Sequence, residues 1–354
     1  MLIDSLQILR CFCCLLVIIN HSCVLVNIQI ARFAVTTFFI LSSFLFSIKE
    51  NINNEVSIKN NLKFSLKRIN KIYPLHLLCT FAMIPLFLYG TYVSKVMDYS
   101  LFELFFCFLS HVTLTQSLIP NNQNMLPIQI YNSISWYLST SLFCNFIYPF
   151  FKYLKSFFKN IKRIIIACFC IYLVYFVLIS CANSSLFNNK NIIYLFYFSP
   201  IIRIFDCLIG YFLGKIYIIL KNNNIAYINF FTFLSLLSVL LLFLLQYNNY
   251  FQSIFEYDFI YIPISCFLII CFALNNNNIM QLKSSKLFSK IGNLSGYMYL
   301  LAGVIMDYSK NIYQFLFREQ INKYILIVFV FSTSYFLAKL YKTLLDMFIK
   351  KKTI

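Results

Sequence analysis

Charged residues are scarce in this chain of 354 residues, at 11% against 61% for apolar residues. Soluble domains carry about twice that share of charge, so the sequence leaves no room for a sizeable soluble domain. Negatively charged residues are the scarcer of the two kinds, at 11 acidic against 29 basic residues. In a soluble protein that excess would suggest nucleic-acid binding. Here the basic residues cluster between apolar segments, as the positive-inside bias of membrane proteins predicts.

Three further absences narrow the class of protein. The 13 cysteines form no pair of CxxC motifs, which argues against a metal site, and nearly all of them lie in apolar runs, where they act as small apolar residues. No small-residue cleavage motif follows the first apolar segment, so we interpret that segment as a retained span and not as a signal peptide. No internal repeat of fixed period is visible.

Apolar runs long enough to cross a bilayer recur from one end of the chain to the other. They predict an all-α, polytopic membrane helix bundle of about ten spans that forms a single integral-membrane domain over residues 1–354. The predicted spans are residues 6–26, 32–48, 74–93, 133–151, 162–182, 193–219, 225–247, 256–274, 289–308 and 323–348.

The charge of the connections decides the topology. Connections 49–73 and 152–163 are strongly basic, which places both in the cytoplasm, so an even number of crossings separates them. An eleventh apolar stretch, 101–119, contains Glu103 and His111 and is the weakest candidate for a span. We therefore predict that it is re-entrant or lies along the outer surface.

This topology places the N-terminus and the C-terminus in the cytoplasm. The basic tail at 350–352 agrees with it. The connection 309–322 is an exception to the positive-inside bias, because it is predicted to lie outside and yet contains Lys310 and Arg318.

A basic residue and a histidine lie eleven positions apart in the first apolar segment, at Arg10 and His21. In a helix, eleven residues rise about 16.5 Å and turn through about three revolutions plus 20°, so both side chains lie on one face. Ionisable residues inside membrane spans are functional by default. The alternative, a snorkelling arginine and a hydrogen-bonded structural histidine, is equally well supported. His76 and His111 lack a comparable position inside a span with polar neighbours, so His21 is the candidate for proton transfer.

A second basic cluster, Lys67–Pro74, precedes the third predicted span. Arg68 and Lys71 are three residues apart and can share a helical face, which is a suitable arrangement for binding phosphates. The alternative is ordinary positive-inside anchoring, which is what charge alone favours.

Two polar features lie further along the chain. Trp136, the single tryptophan, precedes Tyr137 and Ser139, and interfacial anchoring alone would explain it. Arg203 and Asp206 stand at i and i+3, so they can pair within the membrane and lower the cost of burying either charge. A structural role for this pair is at least as well supported as a functional one.

Together these segments resemble the membrane-bound acyltransferase family of type 3, whose members transfer acyl groups to cell-surface glycans and similar acceptors. Arg10 and His21 match the family's opening basic-x10-His signature, and Arg68, Lys71, Tyr73 and Pro74 match its basic-xx-basic-xYP element. The other matching segments, in family order, are Phe38–Leu45 (FFxLSGFL, with Ser43 in the glycine place), Trp136–Leu138 with Tyr148–Pro149 (WxLxxE…YP), Arg203–Gly210 (R-x-x-[DE]-x-x-x-G) and Gly292–Leu300 (GxxSYxxYL).

Two positions depart from the family pattern. The family's glutamate after WxL falls at Ser141, and its histidine after YLx falls at Ala302. An accessory acid, base or positioning role of those groups is therefore absent. Either His21 suffices, or the chain belongs to a divergent branch, or it has lost activity.

The resemblance implies that an acyl group, acetyl by default, passes from cytoplasmic acyl-CoA to a hydroxyl of a cell-surface glycan or glycolipid in a bacterial cytoplasmic (inner) membrane. His21, with Arg10, would be catalytic, as general base or transient acyl acceptor. Arg10, Arg68 and Lys71 would bind the phosphates of acyl-CoA, and its pantetheine arm would follow the face between Arg10 and His21. The weaker candidates that would support the site are Ser42, Trp136, Ser139, Arg203, Asp206 and Tyr299.

No metal, permanently bound cofactor or nucleic acid is expected. The expected partners are acyl-CoA as co-substrate, the sugar acceptor and the lipid bilayer. The alternative functions are a polysaccharide flippase or polymerase, and an inactive relative of the acyltransferases.

Overall fold

The computed structural model describes residues 3–22, 29–49, 56–93, 100–119, 131–156, 160–182, 194–223, 225–247 and 258–351. Within these ranges the chain forms helices joined by turns and contains no strand. The predicted all-α class is therefore confirmed.

The α-helices follow one another with few residues between them. In chain order they are α1 (Ser5–His21), α2 (Ile30–Lys49), α3 (Ile58–Ile69), α4 (Tyr73–Leu88), α5 (Leu101–Val112), α6 (Trp136–Ile147), α7 (Ile161–Ala182), α8 (Pro200–Leu220), α9 (Ile228–Gln246), α10 (Tyr261–Leu274), α11 (Asn276–Gln281), α12 (Ser285–Gly292), α13 (Ser295–Phe317) and α14 (Lys323–Lys351). Short π or 3-10 segments extend them at Tyr89–Val93, Ser133–Ser135, Tyr148–Ser156, Tyr194–Phe198 and Asp258–Ile260.

Five helices are long and apolar enough to cross a membrane. They are Ile30–Lys49, Tyr73–Val93, Ile161–Cys181, Ile228–Gln246 and Lys323–Phe348. Every other predicted span also falls on helical segments within the described residues. The chain is a membrane protein, whereas the count of ten crossings and the cytoplasmic placement of both termini stay predictions.

The ninth predicted span, 289–308, has different bounds in the structure. A turn at Asn293–Leu294 separates α12 from α13, and α13 continues to Phe317. It ends there because Arg318 adopts a left-handed conformation (φ 58°). Most of the predicted connection 309–322 is therefore helix.

The stretch 101–119 contains one short helix, α5, of 12 residues. Its length of about 18 Å is less than the ~30 Å core of a bilayer, so α5 cannot cross alone. A capping box fixes its start: the Ser100 hydroxyl accepts from the Glu103 backbone N–H, and the Glu103 carboxylate accepts from the Ser100 backbone. Whether the stretch is re-entrant or lies on the outer surface stays a prediction.

The core of the bundle lies around α1, α2 and α8. A Cβ at Gly210 of α8 would collide with the backbone carbonyl of Ile40, and a Cβ at Gly214 would lie 2.8 Å from the Phe44 carbonyl. These glycines allow α8 to pack directly against the α2 backbone. Helix α1 is enclosed by α2, α10, α12 and α13, and this enclosure positions the candidate site.

Candidate functional site

A cavity of about 370 Å³ lies at the N-terminal end of α1, between α1, α2, α6 and the start of α13. Three of its lining side chains, Arg10, Arg68 and Lys71, are basic. No acidic residue is among the described residues that line it. Three sequence-predicted donor-binding residues from two separate segments thus meet in one cavity, which suits an anionic ligand.

Local structure brings the three cations together. Arg10 lies on the second turn of α1, where its guanidinium approaches the Gln7 side-chain oxygen at 3.4 Å. Arg68 lies in the last turn of α3, with its guanidinium 5.5 Å from the ring centre of Tyr148. Lys71 occupies the short turn between α3 and α4. Because that turn is tight, Arg68 and Lys71 reach the same cavity.

Hydroxyl groups line the cavity beside the cations. Tyr137 lines the cavity together with Ser42, Ser141 and Arg10, and its hydroxyl interacts with the hydroxyls of Ser42 and Ser141. Ser141 Oγ is buried. Ser42, a predicted supporting residue, lines this cavity. Ser141, where the family has glutamate, places an uncharged hydroxyl in the same cavity, so this position cannot supply a carboxylate base.

Aromatic rings close the inner wall of the cavity. The rings of Phe38, Tyr137 and Tyr299 contact one another, with centroid distances of 6.0 Å between Phe38 and Tyr137, 6.5 Å between Phe38 and Tyr299, and 5.7 Å between Tyr137 and Tyr299. Tyr299, a predicted supporting residue, thus forms part of this wall and is only 7% exposed.

His21 is the last residue of α1, at the end opposite to Arg10, and it is not among the residues that line this cavity. The ammonium group of Lys310 on α13 donates to its backbone carbonyl at 3.0 Å. The next residue, Ser22, lines a second cavity of about 240 Å³ together with Lys310, Gln314 and Lys323. Arg10 therefore lines one cavity, whereas His21 lines neither of the two and lies next to the second through Ser22 and Lys310.

The face of α1 between Arg10 and His21 is covered. Cys14 and Ile18, one and two turns after Arg10, are each 1% exposed and pack in a cluster with Met298, Ala302 and Met306 of α13. We call this α1–α13 contact the seam. Ala302, where the family has histidine, is buried in the seam. In this structure the seam therefore separates the two cavities, and the predicted path of the pantetheine arm along this face is closed.

Arg203 and Asp206 form a buried ion pair, with 2.8 Å between Arg203 Nη1 and Asp206 Oδ2. Arg203 Nη2 also lies 2.8 Å from Asp258 Oδ2, and Arg32 lies 3.5 Å from the other oxygen of Asp258. The four groups balance two positive charges with two negative charges. The Tyr197 ring covers both guanidinium groups, at 4.4 and 5.2 Å. This cluster does not line either cavity, so it supports the structural alternative.

Trp136 and Ser139 lie behind the cavity and do not line it. Trp136 is 5% exposed, and its ring lies 4.9 Å from the Tyr197 ring. Ser139 donates to the Leu114 carbonyl at 2.6 Å, and its hydroxyl lies 2.7 Å from that of Ser117. Both residues therefore connect α6 to other segments of the chain, Trp136 through the Tyr197 ring and Ser139 through hydrogen bonds.

The expectation that His76 and His111 lack a polar setting is wrong. Both are fully buried, and His76 Nε2 donates to the His111 carbonyl at 2.9 Å. His111 Nδ1 lies 3.2 Å from the Ser135 hydroxyl. The side-chain amide of Gln116 also donates a hydrogen bond to that hydroxyl at 3.4 Å. The partners come from distant segments or from the backbone, which is why the neighbouring sequence gave no signal.

The fold and the cavity define a class: a polytopic membrane protein built of helices, with a cationic cavity at one end of its first helix. The acyltransferase 3 family model, described as an acyltransferase domain, matches residues 3–340, and the chain belongs to that family. The resemblance seen in the sequence is thereby confirmed. No curated protein and no solved structure matches the chain.

Proposed function

We propose that this protein transfers an acyl group, acetyl by default, from cytoplasmic acyl-CoA to a hydroxyl of a cell-surface glycan or lipid-linked sugar, in the cytoplasmic membrane of a bacterium. The observation that supports this proposal is the cavity that contains Arg10, Arg68 and Lys71 and no acidic lining residue within the described chain. Its volume, about 370 Å³, falls within the usual range of ligand pockets. Guanidinium and ammonium groups are the usual protein ligands of phosphates.

The transfer itself needs a base and a path for the leaving group. His21 takes the proton of the acceptor hydroxyl, and the oxygen attacks the thioester carbonyl. The C–S bond then breaks, and the CoA sulfur leaves as the thiol after receiving that proton from His21. If His21 instead accepts the acyl group first, its ring nitrogen attacks the thioester carbonyl, the C–S bond breaks and CoA leaves as the thiolate. The acceptor oxygen then attacks the acyl carbonyl, the C–N bond to His21 breaks, and the hydroxyl proton passes to the CoA thiolate.

The second cavity is suited to the acceptor. Lys310, Gln314, Gln320 and Lys323 line it, and their ammonium and amide groups can donate hydrogen bonds to the oxygens of a sugar. Lys310 also contacts the backbone of His21. An acceptor held there would have its hydroxyl near the end of α1.

The seam sets a requirement on this mechanism. Cys14 and Ile18 of α1 belong to one buried cluster with Met298 and Ala302 of α13, so along this face of α1 the thioester reaches His21 only after α1 and α13 separate. Closure of this kind is common in enzymes that protect a reactive intermediate from water.

One experiment tests donor binding and chemistry separately. We expect the double variant Arg68→Gln/Lys71→Gln to bind acyl-CoA at least about tenfold more weakly, because hydrogen bonds to charged groups contribute about 1.5–3 kcal/mol each. Lys283→Gln/Lys286→Gln is the matched control, since both lysines are exposed and neither lines the cavity. His21→Ala should keep donor binding and lose acyl transfer.

Binding is measured by titration of the purified protein, and transfer by mass spectrometry of O-acyl groups on the host's surface polysaccharide. Unchanged acyl-CoA binding by the double variant would show that Arg68 and Lys71 serve membrane topology alone. Unchanged acylation with His21→Ala present at normal levels would exclude His21 as the catalytic residue.

An inactive relative is the second candidate, and one observation favours it. Ser141 and Ala302 replace both accessory groups of the family, one in the cavity and one in the seam. The purified protein distinguishes the two candidates: an active enzyme hydrolyses acyl-CoA slowly or exchanges its acyl group, whereas an inactive relative or a flippase does neither.

A further inference from the structure

Helix α3 (Ile58–Ile69) has three faces of different chemistry. Its buried face carries Asn61, Ser65 and Ile69. Helix α3 packs against α6. Ser65 Oγ donates to the Leu142 carbonyl of α6 at 2.6 Å. Residues four apart differ by about 40° around a helix, so the three side chains form one stripe that fixes α3 to the bundle along its length.

The second face of α3 is apolar and uncovered by the protein. Ile58, Leu62 and Leu66 are 72%, 51% and 53% exposed and lie four residues apart. Helix α3 connects α2 and α4, both of which are long and apolar enough to cross a membrane. It therefore lies at the level where those spans end. At that level the acyl chains just below the lipid headgroups cover an apolar helix face.

The third face of α3 is cationic. Lys59, Lys63 and Lys67 each follow one of the exposed apolar residues and are therefore rotated from it by about 100°. All three are exposed, and the helix contains no acidic residue. Lysine stems can lie along apolar surface while the ammonium groups reach the headgroup layer. A lysine row beside an apolar row matches the charge and polarity of an anionic lipid surface.

We propose that α3 is a binding site for anionic phospholipid headgroups, in which Lys59, Lys63 and Lys67 contact the lipid phosphates while the apolar face enters the acyl-chain region. This inference does not depend on acyl transfer and holds equally for an inactive relative. It connects lipid composition to the donor cavity, because Arg68 in the last turn of the same helix lines that cavity.

The test uses the full-length protein in nanodiscs of phosphatidylcholine into which spin-labelled phosphatidylglycerol or phosphatidylcholine is introduced. The wild-type protein should retain the anionic label preferentially. Each lysine near a charged membrane surface contributes roughly fivefold to such binding, so Lys59→Gln/Lys63→Gln/Lys67→Gln should lose about tenfold or more of this preference. The matched control, Lys283→Gln/Lys286→Gln/Lys290→Gln, removes the same charge from other exposed positions and should keep it. No loss in the first variant, or an equal loss in both, overturns the proposal.

Two further measurements identify the ligand and the depth. In brominated lipid, emission of a Leu62→Trp variant should be quenched much more than that of Lys63→Trp, because only the apolar stripe faces the acyl chains. The buried Trp136 gives both variants the same background. If instead the triple lysine variant loses CoA affinity in discs without anionic lipid, the stripe binds donor phosphates and the lipid assignment fails.

Discussion

Replacing Arg203 with methionine should strongly destabilise the bundle, because Arg203 is the cation shared by two buried carboxylates. Its two terminal nitrogens each lie 2.8 Å from a carboxylate oxygen, one on Asp206 and one on Asp258. Asp258 would retain Arg32 at 3.5 Å, whereas Asp206 would have no cation in any ion pair within the described chain. Removing one partner of a buried pair costs about 3–5 kcal/mol. We expect a loss of about 4 kcal/mol, or roughly three orders of magnitude in the folding equilibrium.

The second half of the experiment removes the orphaned charge. In Arg203→Met/Asp206→Asn the remaining carboxylate of Asp258 still has Arg32, so the double variant should be more stable than Arg203→Met alone. Reversible unfolding in mixed detergent micelles, followed by circular dichroism, measures the free energy of unfolding of each. Arg203→Lys keeps the charge but loses the fork that contacts both carboxylates, and it should give an intermediate value.

Two results would refute this reasoning. A cost below about 1 kcal/mol for Arg203→Met would mean that water or lipid headgroups solvate the carboxylates, as in a surface pair. Equal stabilities for the single and the double variant would mean that the orphaned Asp206 charge is not the source of the loss.

Two other predictions concern packing and pH. Gly292→Ala should lower the thermal stability and weaken acyl-CoA binding, because a Cβ there would collide with the Gln7 backbone. Gly296→Ala is the control and should melt like the wild type, since its Cβ would meet only a side-chain atom at 3.4 Å. Equal melting temperatures of the two variants would contradict the prediction. Hydrogen bonds from the backbone and the side chain of Ser100 lower the pKa of Glu103 below its ordinary value of 4.5. The capping box of α5 is therefore complete above pH 4.5 and is lost as the pH falls through the lowered pKa. Hydrogen exchange in the first turn of α5 measures this, and Glu103→Gln should remove the pH dependence.

The sequence was sufficient to predict those features that depend on local patterns. Apolar runs predict α2 and α7 closely, because a membrane helix must be apolar along its whole length. Family motifs relate Arg68 and Lys71 to Arg10, and all three side chains line one cavity in the structure; their role in donor binding stays a prediction. The pairing of Arg203 with Asp206 needs only the helical spacing of three residues, and the structure confirms it.

Features that depend on distant partners could not be predicted. Asp258 pairs with Arg203 across 55 positions, and nothing around it in the sequence indicates a cation. His76 and His111 contact a backbone carbonyl and a serine from other helices, so their own neighbours gave no sign of burial. The closed face of α1 depends on where α13 packs, which periodicity along α1 alone cannot tell.

The seam between α1 and α13 has a consequence for the cell's energy supply. In the predicted topology the Arg10 cavity and the Lys310 cavity face opposite sides of the membrane. Moving one elementary charge across the membrane potential releases about 2.3 kcal/mol per 100 mV, so in that topology a water-filled path between the cavities would let protons run down their gradient. The buried cluster that contains Cys14, Ile18, Met298 and Ala302 would then act as the barrier to such a path. Cavity-forming substitutions in the seam should therefore depolarise the cell, even if surface acylation continues.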